Sequence, residues 1–326
     1  MDSGNFWLEK KVLVTGATGF IGGWLVKDLL ARKAEVTCLV RDEVPRSIFF
    51  EEGIARDCTV VRGSLEDTLL AERVLAEYET DLVFHLGAQT QVTIANNYPL
   101  STFESNLRGT YSLLDAVRRI GKKTGVIVAS SDKAYGTQEK LPYTEETPLN
   151  GINPYDASKS CVDLIARSYA LTYGMPIAIS RCGNFYGGGD LNFNRLVPGT
   201  IRSAHCGKRP VIRSDGKFIR DYIYVADASS AYLVLGEKLA SLAPGSAFNF
   251  SNEVPKTVLE IVETILRLMK SDIKPLVQNE AINEIRDQRL DSSKARKVLG
   301  WKAQYGLEAG LKETIDWYLE FFKRHG

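Results

Sequence analysis

Up to residue 183 the chain alternates short β-branched runs with longer amphipathic stretches. Residues 11–15 (KVLVT), 34–40 (AEVTCLV), 57–62 (DCTVVR), 82–86 (LVFHL), 124–129 (TGVIVA) and 176–180 (PIAIS) read as strands. Between them, residues 22–32, 69–78, 103–120 and 157–173 carry apolar side chains at helical spacing, as do Trp24, Leu25, Leu29 and Leu30 in the first. This alternation predicts an α/β fold, a Rossmann-type doubly wound parallel sheet with helices on both faces. The strands are near-continuous apolar runs, which a sheet buried on both sides requires.

After residue 183 the pattern loosens. Residues 187–190 (GGGD) read as a loop, and over 184–224 Arg, Lys and aromatics interleave with Gly and Pro. Residues 259–269 and 307–322 are helical in pattern, and the first has an apolar stripe that faces a core. The expected organisation is a dinucleotide-binding unit over residues 1–183. A smaller C-terminal lobe over 184–326 would hold the substrate, with some of its segments returning to the first unit.

Composition narrows the function. The chain has 326 residues, 44% hydrophobic and 25% charged, with a net charge of +1. That balance argues against a nucleic-acid binder, which carries a basic excess. No apolar run is long enough to span a membrane, and no signal-peptide core precedes the first strand. Five scattered cysteines without CxxC spacing read as reduced thiols, which favours a cytoplasmic protein. With only three histidines, no metal centre is expected.

Gly16, Gly19 and Gly22 form G-x-x-G-x-x-G between the first strand and the first helix. Gly16 permits the tight turn, Gly19 lets the backbone approach a pyrophosphate, and Gly22 permits close helix–strand packing. The helix N-terminus then offers free N–H groups to the anion. Asp42 has the spacing of the acidic residue that binds the ribose of NAD, whereas Arg41 could take the 2′-phosphate of NADP. The two point in opposite directions, with a slight tilt towards NADP.

Tyr155 and Lys159 form Y-x-x-x-K, at i and i+4 on one helix face. An ammonium there should favour the phenolate and make Tyr155 a base near neutral pH. Ser131 follows the fifth strand, at the carboxyl edge where open α/β sheets bind ligands, and can hydrogen-bond a substrate hydroxyl beside Tyr155. Asp132 and Lys133 add an acid and a base at the same edge, which suits proton transfers beyond simple oxidation. His85 lies inside an apolar strand and reads as a core histidine.

Together these motifs resemble the extended short-chain dehydrogenase/reductase superfamily, of the NAD-dependent epimerase/dehydratase type, over nearly the whole chain. Residues 85–89 (HLGAQ), 106–110 (NLRGT), 181–187 (RCGNFYG), 220–225 (RDYIYV), 290–295 (LDSSKA) and 299–301 (LGW) resemble further segments of that superfamily. Ser131-Asp132-Lys133 resembles the sugar-nucleotide 4,6-dehydratases, chiefly the CDP-glucose group, as do Asn5-Phe6-Trp7 and residues 182–190. Residues 218–222 (FIRDY) look more like the epimerases and dTDP-type dehydratases, and Arg41 more like the NADP-using GDP-mannose dehydratases.

The resemblance implies cofactor contacts from Phe20, Ile21, Leu86 and Ala88 besides the glycines, Arg41, Asp42, Tyr155 and Lys159. It implies substrate contacts from Gln89, Asn106 and Asn184, while Arg195, Arg213, Arg220 and Arg286 are candidates for the diphosphate. The implied reaction converts a nucleotide-hexose to its 4-keto-6-deoxy form while NADP or NAD stays bound. Tyr155, Ser131 and Lys159 would act at O4, Lys133 as the C5 base and Asp132 as the acid at the C6 hydroxyl. Burial near other cations would keep Lys133 neutral. The competing reading is a UDP-sugar 4-epimerase, which would leave Asp132 and Lys133 idle. Family members pair two long helices, here 103–120 and 157–173, into a four-helix bundle, which implies a homodimer.

Overall fold

The computed structural model describes residues 6–121, 123–280 and 284–325, so Asn5 of the Asn5-Phe6-Trp7 segment lies outside the described residues. Strands and helices follow one another as the alternation predicts: β1 (Lys11–Thr15), α1 (Phe20–Ala31), β2 (Glu35–Val40), β3 (Thr59–Arg62), α2 (Thr68–Glu77), β4 (Leu82–His85), α3 (Gly109–Arg119), β5 (Gly125–Ala129), α4 (Pro154–Tyr173) and β6 (Ile177–Cys182). Beyond them lie α5 (Leu196–His205), α6 (Val225–Lys238), β7 (Ser246–Phe250), α7 (Val258–Leu268) and α8 (Leu307–His325).

The seven strands form one parallel sheet in the order β7-β6-β5-β4-β1-β2-β3. Side chains alternate between its faces, and both faces are buried. On one face Val12, Val14 and Phe84 meet Leu25, Val26 and Leu29 of α1 and Leu233 and Leu235 of α6. On the other, Leu13, Val83 and Val126 meet Val74 of α2, Leu113 and Val117 of α3, and Val162 and Ala166 of α4. Strand order reverses between β1 and β4, which opens a crevice outside their carboxyl ends.

Two segments after residue 183, α6 and β7, return to this sheet. Their sequences hide it, because α6 (VADASSAYLVLGEK) is rich in small residues and β7 (SAFNF) is short. The remaining C-terminal helices gather on a separate cluster that includes Ile201, Tyr222, Ile261, Ile265, Leu311, Ile315 and Tyr318. Among the described residues no helix is long and apolar enough to cross a membrane.

One expected element differs. Residues 103–120 are not a single regular helix. A short helix, Pro99–Phe103, passes into a π-helical turn, Glu104–Arg108, before α3 begins. The widened turn coincides with a fully buried Asn106 whose side chain is used for structure: Oδ1 accepts from Gln89 N (2.7 Å), and Nδ2 donates to Gln89 O (3.1 Å) and Ser158 Oγ (2.8 Å).

Asn106 is one end of a chain of buried hydrogen bonds. Thr110 Oγ1 donates to Asn106 O (2.5 Å), so it must accept from His85 Nε2 (2.9 Å). His85 Nδ1 then accepts from Thr15 Oγ1 (3.0 Å), whose lone pairs take the N–H groups of Leu86 (3.1 Å) and Gly87 (3.0 Å). This donor count fixes the neutral Nε2–H tautomer. Burial first, then the Lys159 charge, push His85 down to about 3. Unfolded, the same group titrates near 6.5. Because the folded value is depressed, the contribution is complete above about pH 6.5 and is lost as pH falls towards 3. Denaturant unfolding should therefore lose up to about 1.4 kcal/mol per pH unit to this one group as pH falls from 6 to 4. The His85→Gln variant, measured alongside, should show a shallower slope.

Candidate active site

A cleft of about 1310 Å³ runs along the carboxyl edge of the sheet, between the sheet and the C-terminal helices. One drug-sized ligand typically fills roughly 300–1,000 Å³, so there is room for a cofactor and a second molecule.

At one end stands the glycine turn. Gly16 has φ +75°, and a Cβ on it would lie 2.8 Å from Gly87 N. A Cβ on Gly22 would lie 2.0 Å from Gly16 O. The N-terminus of α1 has Gly19 as its cap, with no side-chain cap and no acidic residue in the first turn. Its N–H groups and positive dipole end are left to an anion, so these residues fit the pyrophosphate of a dinucleotide. Phe20, Ile21, Leu86 and Ala88 line the same end. At the rim, Arg41 Nε donates to Asp42 Oδ2 (2.7 Å) and Nη1 to Ser105 Oγ (3.2 Å).

Ser131, Asp132, Lys133, Tyr155 and Lys159 all line the middle of the cleft. Ser131 caps a 3₁₀ turn, Asp132–Tyr135, accepting from Lys133 N (3.2 Å) and donating to Asp132 Oδ1 (3.0 Å). Asp132 is buried, and desolvation pushes its carboxyl above the usual range against the pull of Lys133 and Ser131. Pro154 starts α4, which sets Tyr155 and Lys159 one turn apart. Lys159 Nζ donates to Ala129 O (2.8 Å), and burial brings it down to about 8.

One expectation about charge needs correction. Burial raises the Tyr155 pKa, and the groups that pull it down are Arg195 and Ser131; Lys159 places one of its three N–H donors on Ala129 O. Lys133 is only half-buried. Its Nζ donates to Gln288 Oε1 (3.3 Å), and Gln288 Nε2 donates to Asp132 Oδ2 (3.3 Å). Gln288 is fully buried and bridges the acid and the base from a distant part of the chain. Nothing in its local sequence marks it, since it belongs to no periodic element and to none of the motifs above.

At the far end Asn184, Arg195, Arg213 and Arg220 line the cleft, as does Gln89. The Nδ2 of Asn184 is buried without a protein partner, an orphan donor that a ligand acceptor would satisfy. Arg195 is paired with Asp190 (3.0 Å). Arg220 is buried and bonds Ile219 O (2.9 Å), Arg286 O (3.3 Å) and Glu284 (3.3 Å). Two expected contacts lie elsewhere. Asn106 is consumed by the internal hydrogen-bond chain, and Arg286 is exposed outside the cleft, its guanidinium 5.8 Å from the Phe218 ring.

The GDP-mannose 4,6-dehydratase family model matches residues 13–314. The chain is 32% identical over 330 residues to the CDP-glucose 4,6-dehydratase of Salmonella typhimurium, covering 96% of this chain and 92% of that protein. Among solved structures, the dTDP-glucose 4,6-dehydratase of Bacillus anthracis in complex with NAD aligns with a TM-score of 0.84 at 27% identity, covering 95% and 97% of the two chains. The UDP-glucose 4-epimerase of Thermotoga maritima with UDP-glucose aligns with a TM-score of 0.87 at 27% identity, covering 95% and 99%.

The Gly22 contact yields a direct test of the cofactor end. In Gly22→Ala the new methyl must displace the Gly16 carbonyl and with it the turn. Calorimetric titration with NAD should show affinity reduced at least about tenfold, a loss of 1.4 kcal/mol or more, in a protein whose far-ultraviolet dichroism is unchanged.

Proposed function

The chain belongs to the GDP-mannose 4,6-dehydratase family, within the NAD-dependent epimerase/dehydratase superfamily, and from that premise we propose that it is a 4,6-dehydratase acting on a CDP-linked hexose. The reaction class is that of the nucleotide-sugar dehydratases, with NAD as cofactor. Of the two cofactor forms left open by Arg41 and Asp42, NAD suits a guanidinium already engaged by Asp42 and Ser105. The choice of cytidine rests on the Ser131-Asp132-Lys133 sequence and the Salmonella relative. Residues up to 183 would carry the cofactor and residues 184–326 most of the sugar-nucleotide contacts.

The observation that carries the reading is the Asp132–Lys133 pair beside Tyr155 and Ser131 in one cleft. An oxidoreductase or epimerase needs only the tyrosine, serine and lysine; an adjacent acid and base are what loss of water adds. Ser131 Oγ holds the sugar O4, and Tyr155 Oη takes its proton, with Arg195 and Ser131 favouring the phenolate. When bound, the nicotinamide supplies hydride acceptance at C4 and later donation at C6. The 4-keto group acidifies the C5 hydrogen, which Lys133 Nζ removes. Asp132, whose burial favours the protonated form, delivers its proton to the departing C6 hydroxyl. Asn184 Nδ2 and the guanidinium groups of Arg213 and Arg220 face the nucleotide diphosphate.

We further propose a homodimer. Tyr111 on α3 and Leu164, Leu171 and Tyr173 on α4 are 44–67% exposed, an apolar face on two neighbouring helices. The proposed compartment is the cytoplasm, where thiols such as these five unpaired cysteines stay reduced.

Purified protein incubated with CDP-, dTDP-, GDP- and UDP-hexoses should convert the CDP sugar to a product lighter by one water, read by mass spectrometry without added reductant. A change of sugar configuration at constant mass would instead establish the epimerase. Asp132→Asn should oxidise C4 but lose water roughly 10²–10⁴-fold more slowly, so that a 4-keto sugar two hydrogens lighter than substrate accumulates in quenched single turnovers. Sedimentation at micromolar concentration should give a dimer, and Leu164→Glu a monomer.

A further inference from the structure

Gln288 is fully buried and touches both members of the acid–base pair, each at 3.3 Å. Bonds of that length are at the loose end for N–H···O, in contrast to the 2.7–2.8 Å fork between Arg181 and Asp163 in the same fold. The carboxamide oxygen accepts from Lys133 Nζ and its nitrogen donates to Asp132 Oδ2. This is the arrangement that matches an ammonium and a carboxylate. Chemistry needs the other proton arrangement, an amine to take the C5 proton and a carboxylic acid to release one. The two arrangements differ by a single proton moved from Lys133 Nζ to an Asp132 oxygen, with no change in total charge.

A primary amide has a donor end and an acceptor end of nearly the same shape. Turned end over end, the Gln288 nitrogen donates to the lone pair of a neutral Lys133 and its oxygen accepts from a protonated Asp132. We propose that Gln288 is the positioning residue of the dehydration step, its carboxamide reversing so as to hydrogen-bond the Asp132–Lys133 pair in both proton arrangements. This rests on the acid and base roles given above. During water loss the C5–H electron pair becomes the C5–C6 π bond as C6–O breaks. The C5 proton arrives on Lys133 and the Asp132 proton leaves with the hydroxyl. The pair thus passes from amine and acid to ammonium and carboxylate, and the amide turns with it. An apolar residue here would leave a buried carboxyl without its partner in either state.

The groups that set the local field are Lys133, Arg220 and Asp156 around Asp132, with Asp221, Tyr143 and Tyr155 further out. Ser131 Oγ also bonds Asp132, at Oδ1 (3.0 Å), and Tyr143 spends its hydroxyl proton on Gly136 O (2.7 Å); Gln288 is the side chain that bonds both Asp132 and Lys133 Nζ.

The test uses NAD-loaded full-length protein carrying Gln288→Met or Gln288→Glu. In single turnovers with the hexose that wild type converts, Q288M should form the 4-keto sugar within about threefold of the wild-type rate. Water loss and solvent-deuterium entry at C5 should fall about 100-fold or more. Q288E can both donate and accept only when protonated, so its dehydration should recover at acid pH and its pH optimum should move down. Equal losses of oxidation and dehydration, or a Q288E profile parallel to wild type, would overturn the proposal. A second readout needs no turnover. The Asp132 carboxyl followed by ¹³C NMR should titrate higher in Q288M, because the bond lost from the carboxylate is charge-assisted and stronger than the one lost from the acid, and an unmoved midpoint would also overturn it. If wild type dehydrates no hexose, the dehydratase reading fails, and this titration still decides whether the amide governs the carboxyl.

Discussion

The site depends on one run of buried hydrogen bonds. It starts at Thr15, at the end of β1, crosses to His85 on β4, and continues through Thr110 to Asn106 and Ser158. Ser158 Oγ in turn donates to Tyr155 O (2.7 Å). The glycine turn and Tyr155 are therefore joined by side chains that are each nearly inaccessible to water. Buried polar chains of this kind are costly when any member is unsatisfied, and they specify one geometry when all are satisfied. Here every donor has an acceptor only if His85 is neutral with its proton on Nε2. A single tautomer thus fixes how the cofactor turn stands relative to Tyr155.

Burial does the second part of the work, and it acts in opposite senses on different groups. It favours the acid form of Asp132, the phenol of Tyr155 and the amine of Lys159, because each charged form loses water it cannot replace. In the proposed roles Asp132 benefits, since an acid must hold its proton until the hydroxyl leaves. Tyr155 is opposed, since a base must release its proton, and Arg195 and Ser131 supply the counterweight. Desolvation is the largest cause at both groups, and neighbours pull each back: Lys133 and Ser131 at Asp132, Arg195 and Ser131 at Tyr155.

Much of this was legible in the sequence where chemistry is local. The glycine turn, the serine after β5 and the Tyr155–Lys159 pair sit at fixed offsets on elements whose periodicity is strong, so their meeting at one sheet edge follows from parallel topology alone. What escaped reading was set by tertiary packing. Asn106 was expected at the substrate from the resemblance of residues 106–110 alone; a π-helical turn carries it inside instead. Gln288 had no local signal, since only the pairing of the 284–290 segment with Ile219 and Tyr143 brings it to Asp132. The direction of the Tyr155 shift also failed, because helix spacing reports neighbours and not solvent. Lys159 lies one turn away, yet desolvation of the buried phenol is the larger effect.

The gradient of burial along the cleft fits a reaction that returns its cofactor unchanged. At the rim Arg41 and Asp42 are 56% and 66% exposed and bonded to each other, so they restrain the adenosine end without enclosing it. In the middle Asp132, Tyr155 and Lys159 are all buried. An enzyme that releases a reduced cofactor each cycle must open its grip at the pyrophosphate. One that hands the hydride back to the same sugar has no such need. The rigid Gly16–Gly22 contact, which leaves no room for even a methyl group, then carries no kinetic penalty. Motion can be confined to the sugar end and to a carboxamide that turns in place.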